Sequence, residues 1–147
     1  MFPDDAAVQQ VRKHIYDPFE YLMLRHKHDK LKTDFKQPLG IVAYHAPCHQ
    51  RVQNLGQKTR EVLDLVPDTK VQIIERCSGH DGTYAVKKEF YDFAMKIVKP
   101  VVKRVQQAKA DHYGSDCPMA GQHIAHGLAD GSSPEHPLTL LRKAYGI

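Results

Sequence analysis

Three cysteines occupy equivalent places in the chain, each shortly after a segment whose apolar residues are typical of a β-strand. The segments and their cysteines are 39–45 before Cys48, 71–76 before Cys77, and 111–116 before Cys117. Thiolates are soft ligands that suit zinc, copper(I) and iron–sulfur clusters. Because three thiolates nearly complete a tetrahedral set, the sequence predicts a metal or cluster site that lacks one donor.

The elements around the cysteines explain how residues far apart in sequence can meet. A helical segment follows each cysteine, so strand, cysteine loop and helix alternate three times. This alternation predicts an α/β fold with a small parallel sheet and helical crossovers, in a Rossmann-like three-layer arrangement. Parallel strands all end at one edge, where open α/β sheets place their ligand sites. We therefore expect the three thiols at the carboxyl edge of the sheet.

Helical periodicity predicts one or two helices before the first strand and others between and after the strands. The predicted helical segments are 4–16, one beginning at Pro18, 58–66, 85–108, 120–128 and 138–145. Pro100 lies inside the longest of them, so we expect either a kink or two helices that meet at Lys99. Aromatic residues are expected in the core, namely Tyr44, Tyr84, Phe90 and Phe93. Residues 1–36 are predicted to form an N-terminal helical segment, and residues 37–147 the cysteine-containing α/β domain.

A histidine is a natural candidate for the missing donor. Four histidines lie close to the cysteines in sequence: His45 and His49 flank Cys48, His80 follows Cys77 by three residues, and His123 follows Cys117 by six. His80 is the best placed, because it shares one short loop with Cys77, and His49 comes next. Gly79 and Gly82 let the backbone approach a cofactor closely and direct amides at it, as an anionic cluster requires. Ordinary alternatives stay open: cysteines often pack as small apolar residues, histidines are abundant in this chain, and glycines also suit a turn.

The composition limits the classes of function. The 147-residue chain has a formal net charge of +4 and a pI near 8.9, but its basic residues are scattered among acidic ones. No nucleic-acid-binding motif accompanies them, so we expect no nucleic-acid partner. The odd cysteine count and the absence of a recognisable signal peptide favour the reducing cytoplasm. No apolar stretch approaches the roughly 20 residues that span a bilayer, so we expect contact with the inner membrane face only through a partner.

Three motifs together resemble a known family. The segments YHAPCH (44–49), ERCSGHDGT (75–83) and SDCPMAGQHI (115–124) are similar, in order and in strand context, to the cysteine-rich CCG domain. That domain occurs in iron–sulfur oxidoreductases that resemble the B subunit of heterodisulfide reductase or the C subunit of anaerobic glycerol-3-phosphate dehydrogenase. The resemblance covers residues 39–124, and residues 136–146 also resemble the end of such proteins.

The resemblance implies a set of ligands. The family pattern is a cysteine, then an adjacent cysteine pair followed by glycine, then Cys-x-x-Cys. Cys48, Cys77 and Cys117 match the first cysteine of each motif, whereas Ser78 and Ala120 stand where two further cysteines would be. Members with the full set can hold noncubane [4Fe-4S] clusters and reduce disulfides. With two ligands absent, the resemblance implies three thiolates that hold a [4Fe-4S] cluster with one open or histidine-bound iron, a [3Fe-4S] cluster, or zinc.

The resemblance also implies partners. Family proteins usually carry two such domains after a ferredoxin-like part, so this chain is expected to be the carboxyl-terminal half of a longer oxidoreductase, working with other redox domains or a dehydrogenase subunit. The leading hypothesis is an electron-transfer module rather than a complete enzyme. A second is a protein-interaction module, zinc-bound or metal-free, without redox activity. A third is a metal-free thiol enzyme in which Cys77 is the nucleophile beside His80.

Overall fold

A computed structural model describes residues 2, 4–80 and 82–147. In chain order its elements are α1 (Ala6–Arg12), α2 (Pro18–Lys27), β1 (Gly40–His45), α3 (Cys48–Val52), α4 (Lys58–Leu63), β2 (Thr69–Ile74), a 3₁₀ helix (Lys88–Phe90), α5 (Tyr91–Ala108), β3 (His112–Ser115), α6 (Pro118–Leu128) and α7 (Pro137–Tyr145). The predicted α/β class is confirmed. Each predicted strand is present: β1 and β3 are shorter than predicted, and β2 has the predicted length but begins and ends two residues earlier.

The three strands form a parallel sheet in the order β2-β1-β3. The register aligns the last residue of β1, His45, with Ile74 at the end of β2 and with Ser115 at the end of β3. All three strands therefore finish level at one edge. This alignment places the segments that leave the strands side by side.

One face of the sheet packs against α2, α4 and α7. Val42 and Tyr44 of β1 point to this face, since alternate residues of a strand share a side. They meet Phe19 of α2, Leu63 of α4 and Leu140 of α7, all at most 2% exposed. Capping holds α2 in place: Pro18 begins the helix, and the Asp17 carboxylate accepts amide hydrogen bonds from its first turn.

The opposite face packs against α5 and α6. Ala43, between the two inward residues of β1, points to this side together with Ile74 and Tyr113. The buried stripe of α5 covers them with Ala94, Val98, Val101, Val102, Val105 and Ala108. Sheet and helices thus form the predicted three layers, with an apolar core on each side of the strands.

The longest helix differs from its prediction in two ways. It begins later, since residues 83–87 form a turn in which the amides of Val86 and Lys87 donate to the Thr83 carbonyl. It also runs as one helix through Pro100, which excludes two helices meeting at Lys99, while the kink at Pro100 stays a prediction. Proline inside a helix costs roughly 3 kcal/mol. The apolar stripe on both sides of Pro100 offsets this cost by packing against the sheet.

The expected aromatic core is partly wrong. Tyr44 is buried and Phe90 is half-buried, but Tyr84 and Phe93 are exposed. Phe93 lies on the outer side of α5, next to the buried Ala94, and Tyr84 stacks on Phe90 in the preceding turn with 4.7 Å between ring centroids. Helical spacing correctly predicted a buried stripe on α5, but it also included Phe93, which lies at the edge of that stripe and is exposed.

The N-terminal helix contributes nothing to either core. Asp5 caps α1 as expected, yet none of the residues of α1 is buried, and Val8, Val11 and Ile15 are exposed. The described helices include none that is both long enough and apolar enough to cross a bilayer.

Gly114 in β3 provides a test of this packing. A Cβ at this position would overlap the carbonyl oxygen of Glu135, whose amide donates to the neighbouring Tyr113 carbonyl at 2.8 Å. We expect Gly114→Ala to lower the free energy of unfolding by about 1–3 kcal/mol, the usual cost of overpacking. Chemical denaturation measures this loss. Gly121→Ala is the matched control, because its Cβ meets only the Pro134 side chain at 3.2 Å; an equal loss in both variants would contradict the packing described here.

Candidate metal centre

The three cysteines lie just beyond the level ends of the strands. Cys48 is the first residue of α3, three residues after β1; Cys77 is three residues after β2; and Cys117 is the N-cap residue of α6, two residues after β3. Cys48 and Cys77 are exposed, and Cys117 is partly buried. All three cysteines thus lie at the carboxyl edge of the sheet, and each is at least partly exposed to solvent.

Two of the sulfurs have hydrogen-bond donors beside them. The Arg51 guanidinium, one turn after Cys48 in α3, donates to the Cys48 sulfur at 3.4 Å. In the second loop, the amide of Gly79 donates to the Cys77 sulfur at 3.4 Å. Hydrogen bonds to cysteine sulfurs are a feature of iron–sulfur sites, where they help to set the reduction potential. Both contacts therefore favour metal-ligating cysteines.

A buried histidine joins the three strand ends. His45 is 1% exposed; its Nε2 lies 2.8 Å from the Arg76 carbonyl oxygen, and its Nδ1 lies 3.0 Å from the Ser115 hydroxyl. Because a carbonyl only accepts, Nε2 carries the proton and Nδ1 accepts from Ser115. The Ser115 oxygen in turn accepts the amide of Cys117 at 3.3 Å. One imidazole thus ties the end of β1 to the chain leading into Cys77 and into Cys117.

A second buried network lies beneath Cys117. The Tyr44 hydroxyl donates to the Asp116 carboxylate, and the Thr59 hydroxyl donates to the same oxygen at 2.8 Å. Gln50 joins them through the Tyr44 hydroxyl at 2.8 Å and Thr59 at 3.2 Å. Burial raises the pKa of Asp116, and burial together with the carboxylate raises the pKa of Tyr44. These bonds fix the residue before Cys117 against α4 and β1.

The loop after Cys77 is held close to α5. Gly79 has a φ of 77°, and a Cβ there would lie 2.5 Å from the Ala94 carbonyl oxygen, so only glycine fits. Ser78 is buried at 6% exposure, and His80 is half-buried. Gly82 also has a positive φ but faces open space. Asp81, which belongs to the second motif, lies outside the described residues.

The helix after Cys117 contributes a buried imidazole. His123 in α6 is 3% exposed, and its Nε2 lies beside Gly79 and close to the backbone of Ala94. Burial lowers the pKa of His123, a hydrogen bond of the ring to the Ala94 backbone opposes this change, and the charges of His126 and His80 add to it. The imidazole is therefore neutral near pH 7.

The cysteine and histidine side chains of the described residues are of the type that binds metals, but the structure does not bring them into one coordination site. Across the described residues, no group of three or more histidine, cysteine, aspartate or glutamate side chains is arranged to hold a metal ion. Three thiols at one edge fit a three-thiolate site for an iron–sulfur cluster or zinc. They do not fit the full cysteine set, because Ser78 and Ala120 are buried at the remaining positions and supply no soft donor. Ligation by Cys48, Cys77, Cys117 and His80, and a role for Gly79 and Gly82, stay predictions.

Comparisons with known proteins agree with this arrangement. The profile of the family described as "Cysteine-rich domain" (CCG) matches residues 42–124, which is more than half of the chain and includes all three cysteines. The chain belongs to the CCG cysteine-rich domain family. The resemblance read from the sequence is therefore confirmed.

Individual relatives of this CCG chain point to one kind of protein. It is similar to the C subunit of anaerobic glycerol-3-phosphate dehydrogenase from Escherichia coli strain K12, with 32% identity over 120 residues, which are 80% of this chain and 30% of that protein. The corresponding protein of Escherichia coli O157:H7 matches with the same values. The chain thus spans about a third of the length of these curated relatives. No solved structure matches the chain significantly.

Sequence reasoning found the cysteines of the CCG chain but missed what supports them. The sequence offers His45 and His123 as candidate donors near the cysteines but does not indicate that both are buried, and it gives Asp116 only as a strand end. One available signal was the end of β1: Tyr44 and His45 carry polar groups, whereas the residues before them in this strand are apolar or glycine. Nothing in the spacing indicated that Asp116 would meet Tyr44, 72 residues away.

The buried state of His45 predicts how stability depends on pH. Burial lowers the pKa of His45 below the ordinary 6.5, opposed by its bond to the Arg76 carbonyl and assisted by the charge of Arg51. The unfolded chain then binds the proton more readily, so the stabilisation is complete above pH 6.5 and is lost as the pH falls towards the folded-state pKa. This one group contributes a slope of up to about 1.4 kcal/mol per pH unit.

We therefore expect His45→Asn to unfold more easily at pH 7.5 and to show a flatter fall in stability between pH 6.5 and 5. Denaturant titration at several pH values measures both effects. The control is His49→Asn, which replaces an exposed histidine next to Cys48 and should keep the wild-type slope. A His45→Asn slope as steep as that of wild type would disprove the proposed role of the neutral imidazole.

Proposed function

We propose that this chain is an iron–sulfur electron-transfer domain of a larger oxidoreductase, with Cys48, Cys77 and Cys117 as its cluster ligands. The observation that supports this most directly is the delivery of three thiols to one sheet edge by parallel strands that end level. The family match includes the same three loops. When bound, a [4Fe-4S] or [3Fe-4S] cluster supplies reversible electron transfer.

The residues of the chain have separate tasks in this proposal. The three thiolates hold the cluster, and the Gly79 amide and Arg51 guanidinium beside two of the sulfurs reduce their charge. Hydrogen bonds to cluster sulfurs are a principal means of adjusting a reduction potential. His45 keeps the three loops at a fixed spacing through its bonds to Arg76 and Ser115.

The surface around the cysteines suits a partner. Each helix that follows a cysteine carries an exposed large apolar residue: Val52 in α3, Phe93 in α5 and Met119 in α6. Exposed apolar groups around a functional edge favour docking of another protein. We propose that a ferredoxin-like part or a dehydrogenase subunit of the same complex docks here and exchanges electrons. The domain would then work in the cytoplasm and contact the inner membrane face only through that complex.

A zinc-bound interaction module remains the second candidate. The same three thiolates with one imidazole would make a tetrahedral zinc site, and the exposed apolar residues would serve docking without redox chemistry. An iron–sulfur protein is brown and contains iron and sulfide, whereas a zinc protein is colourless. The metal-free thiol enzyme has less support, because Cys48, Cys77 and Cys117 are far apart in sequence and form no disulfide.

Iron analysis of the cysteine variants tests the proposed function. We expect anaerobically purified protein to be brown and to contain iron and sulfide, and each of Cys48→Ala, Cys77→Ala and Cys117→Ala to lose most of the iron and the visible absorbance. Ser133→Ala, in an exposed loop after α6, is the control and should keep both. A colourless wild-type protein containing zinc would favour the interaction module, and a protein that binds neither metal would overturn both proposals.

The two missing thiols give a second test. We expect the native domain to have little or no disulfide-reductase activity alone, since a serine hydroxyl and an alanine methyl cannot replace thiolate ligands. The double variant Ser78→Cys/Ala120→Cys should contain more iron per chain than wild type, because it adds a thiol one residue after Cys77 and another three residues after Cys117, in the first turn of α6. Ser133→Cys adds an exposed thiol outside the three family motifs and should leave the iron content unchanged. Disulfide reduction by the native domain at rates typical of enzymes would contradict this account.

A further inference from the structure

We infer that the outward face of α5 is the docking surface for an acidic electron-carrier protein, an inference that rests on the function proposed above. Residues 84–109 comprise α5 and the segments that flank it, and they contain seven lysine and arginine residues but two acidic ones. The remainder of the chain contains 14 basic and 15 acidic residues. The net positive charge of the protein therefore comes from this one segment.

The charges of α5 face solvent and are not neutralised by neighbouring carboxylates. Lys96, Lys99 and Lys103 are spaced by three and four residues, so they lie on one side of the helix, opposite its buried stripe. All three are exposed, and so is Arg104. None of these four side chains forms an ion pair within the described part of the chain. A partner with carboxylates on its surface would supply the counter-charges.

Two exposed apolar side chains border the charged side of α5. Phe93 is 58% exposed and Ile97 is 42% exposed, and they lie one turn apart. The Lys96 ammonium lies 5.6 Å from the centre of the Phe93 ring, which is within the range of a cation–π contact. Apolar contacts flanked by cations combine short-range burial with long-range attraction of an oppositely charged protein.

The docking surface begins beside the cysteine edge. Gly79, in the loop of Cys77, lies against the carbonyl of Ala94, because a Cβ on Gly79 would be 2.5 Å from that oxygen. Phe93 precedes Ala94 in the chain, and Lys96 follows within the same turn of α5. A carrier protein seated on the first turns of α5 would therefore lie next to the Cys77 loop and to the proposed cluster.

The packing of α5 favours a protein partner over a lipid surface. A helix that binds a membrane surface inserts its own apolar face at the boundary of the lipid chains. The apolar stripe of α5, from Ala94 to Ala108, is buried against the sheet and is not available to lipid. Transient complexes of redox proteins bury small interfaces, which the exposed side of one helix can supply. In such a complex one electron passes between the two redox centres, so that one is oxidised and the other reduced, and no covalent bond changes.

Calorimetric titration with a small acidic [2Fe-2S] ferredoxin tests the docking surface without relying on activity. The double variant Lys96→Glu/Lys103→Glu should bind the ferredoxin more weakly, on the order of 10-fold or more, since like charges across an interface repel. We expect added salt to weaken wild-type binding, because it screens exposed charges. The matched control is Lys30→Glu/Lys32→Glu, which makes the same charge change at exposed positions after α2, in the layer on the other side of the sheet. It should bind close to wild type.

Several outcomes of these titrations would overturn the inference. One is a wild-type protein that does not bind the ferredoxin at low salt, or that binds the basic protein cytochrome c at least as tightly. Equal weakening in both double variants would show a general effect of net charge rather than a surface on α5. Association with phosphatidylglycerol vesicles or a DNA duplex, lost in Lys96→Glu/Lys103→Glu while ferredoxin binding is unchanged, would assign the face to another class of partner.

Iron content and electron transfer separate this inference from the proposed function. Reduced ferredoxin is mixed with the oxidised protein in a stopped-flow instrument, and bleaching of the visible absorbance reports the arrival of one electron. We expect slower reduction of Lys96→Glu/Lys103→Glu with an unchanged iron content. If that variant contains iron and is reduced as fast as wild type, the inference falls and the cluster proposal stands. If the wild-type protein contains no iron, the proposed function falls, and the calorimetric titration still decides whether α5 binds an acidic protein.

Discussion

The cysteine edge depends on one neutral imidazole. His45 ends the central strand and bonds on one side to the carbonyl of Arg76 and on the other to the hydroxyl of Ser115. Arg76 directly precedes Cys77, and Ser115 lies two residues before Cys117. A hydrogen bond of this kind is worth about 1 kcal/mol, and leaving the buried imidazole or the buried Ser115 hydroxyl without a partner costs more. The sheet register alone aligns the strands; this imidazole fixes the chain beyond them, where the thiols lie.

The layered fold was predictable because its signals are local. Apolar runs bounded by turns predicted the strands, and the 3.6-residue spacing predicted the helices that cover them. Periodicity could not decide how wide each buried stripe would be. Phe93 continues the stripe of α5 by spacing but lies beyond the reach of the sheet, and Val8 and Val11 form a stripe on α1 that meets no core. Burial depends on which neighbour is present, and that is set by tertiary structure.

The candidate site was predictable only where it follows from topology. Parallel strands must end together, so the positions of Cys48, Cys77 and Cys117 at one edge followed from counting residues. The support for these loops depends on contacts between distant parts of the chain, such as Tyr44 with Asp116 and His45 with Ser115. A single sequence contains no periodic signal for such pairs. The burial of His123 was not predictable for the same reason, since its ring lies against Gly79 of the Cys77 loop and Ala94 of α5.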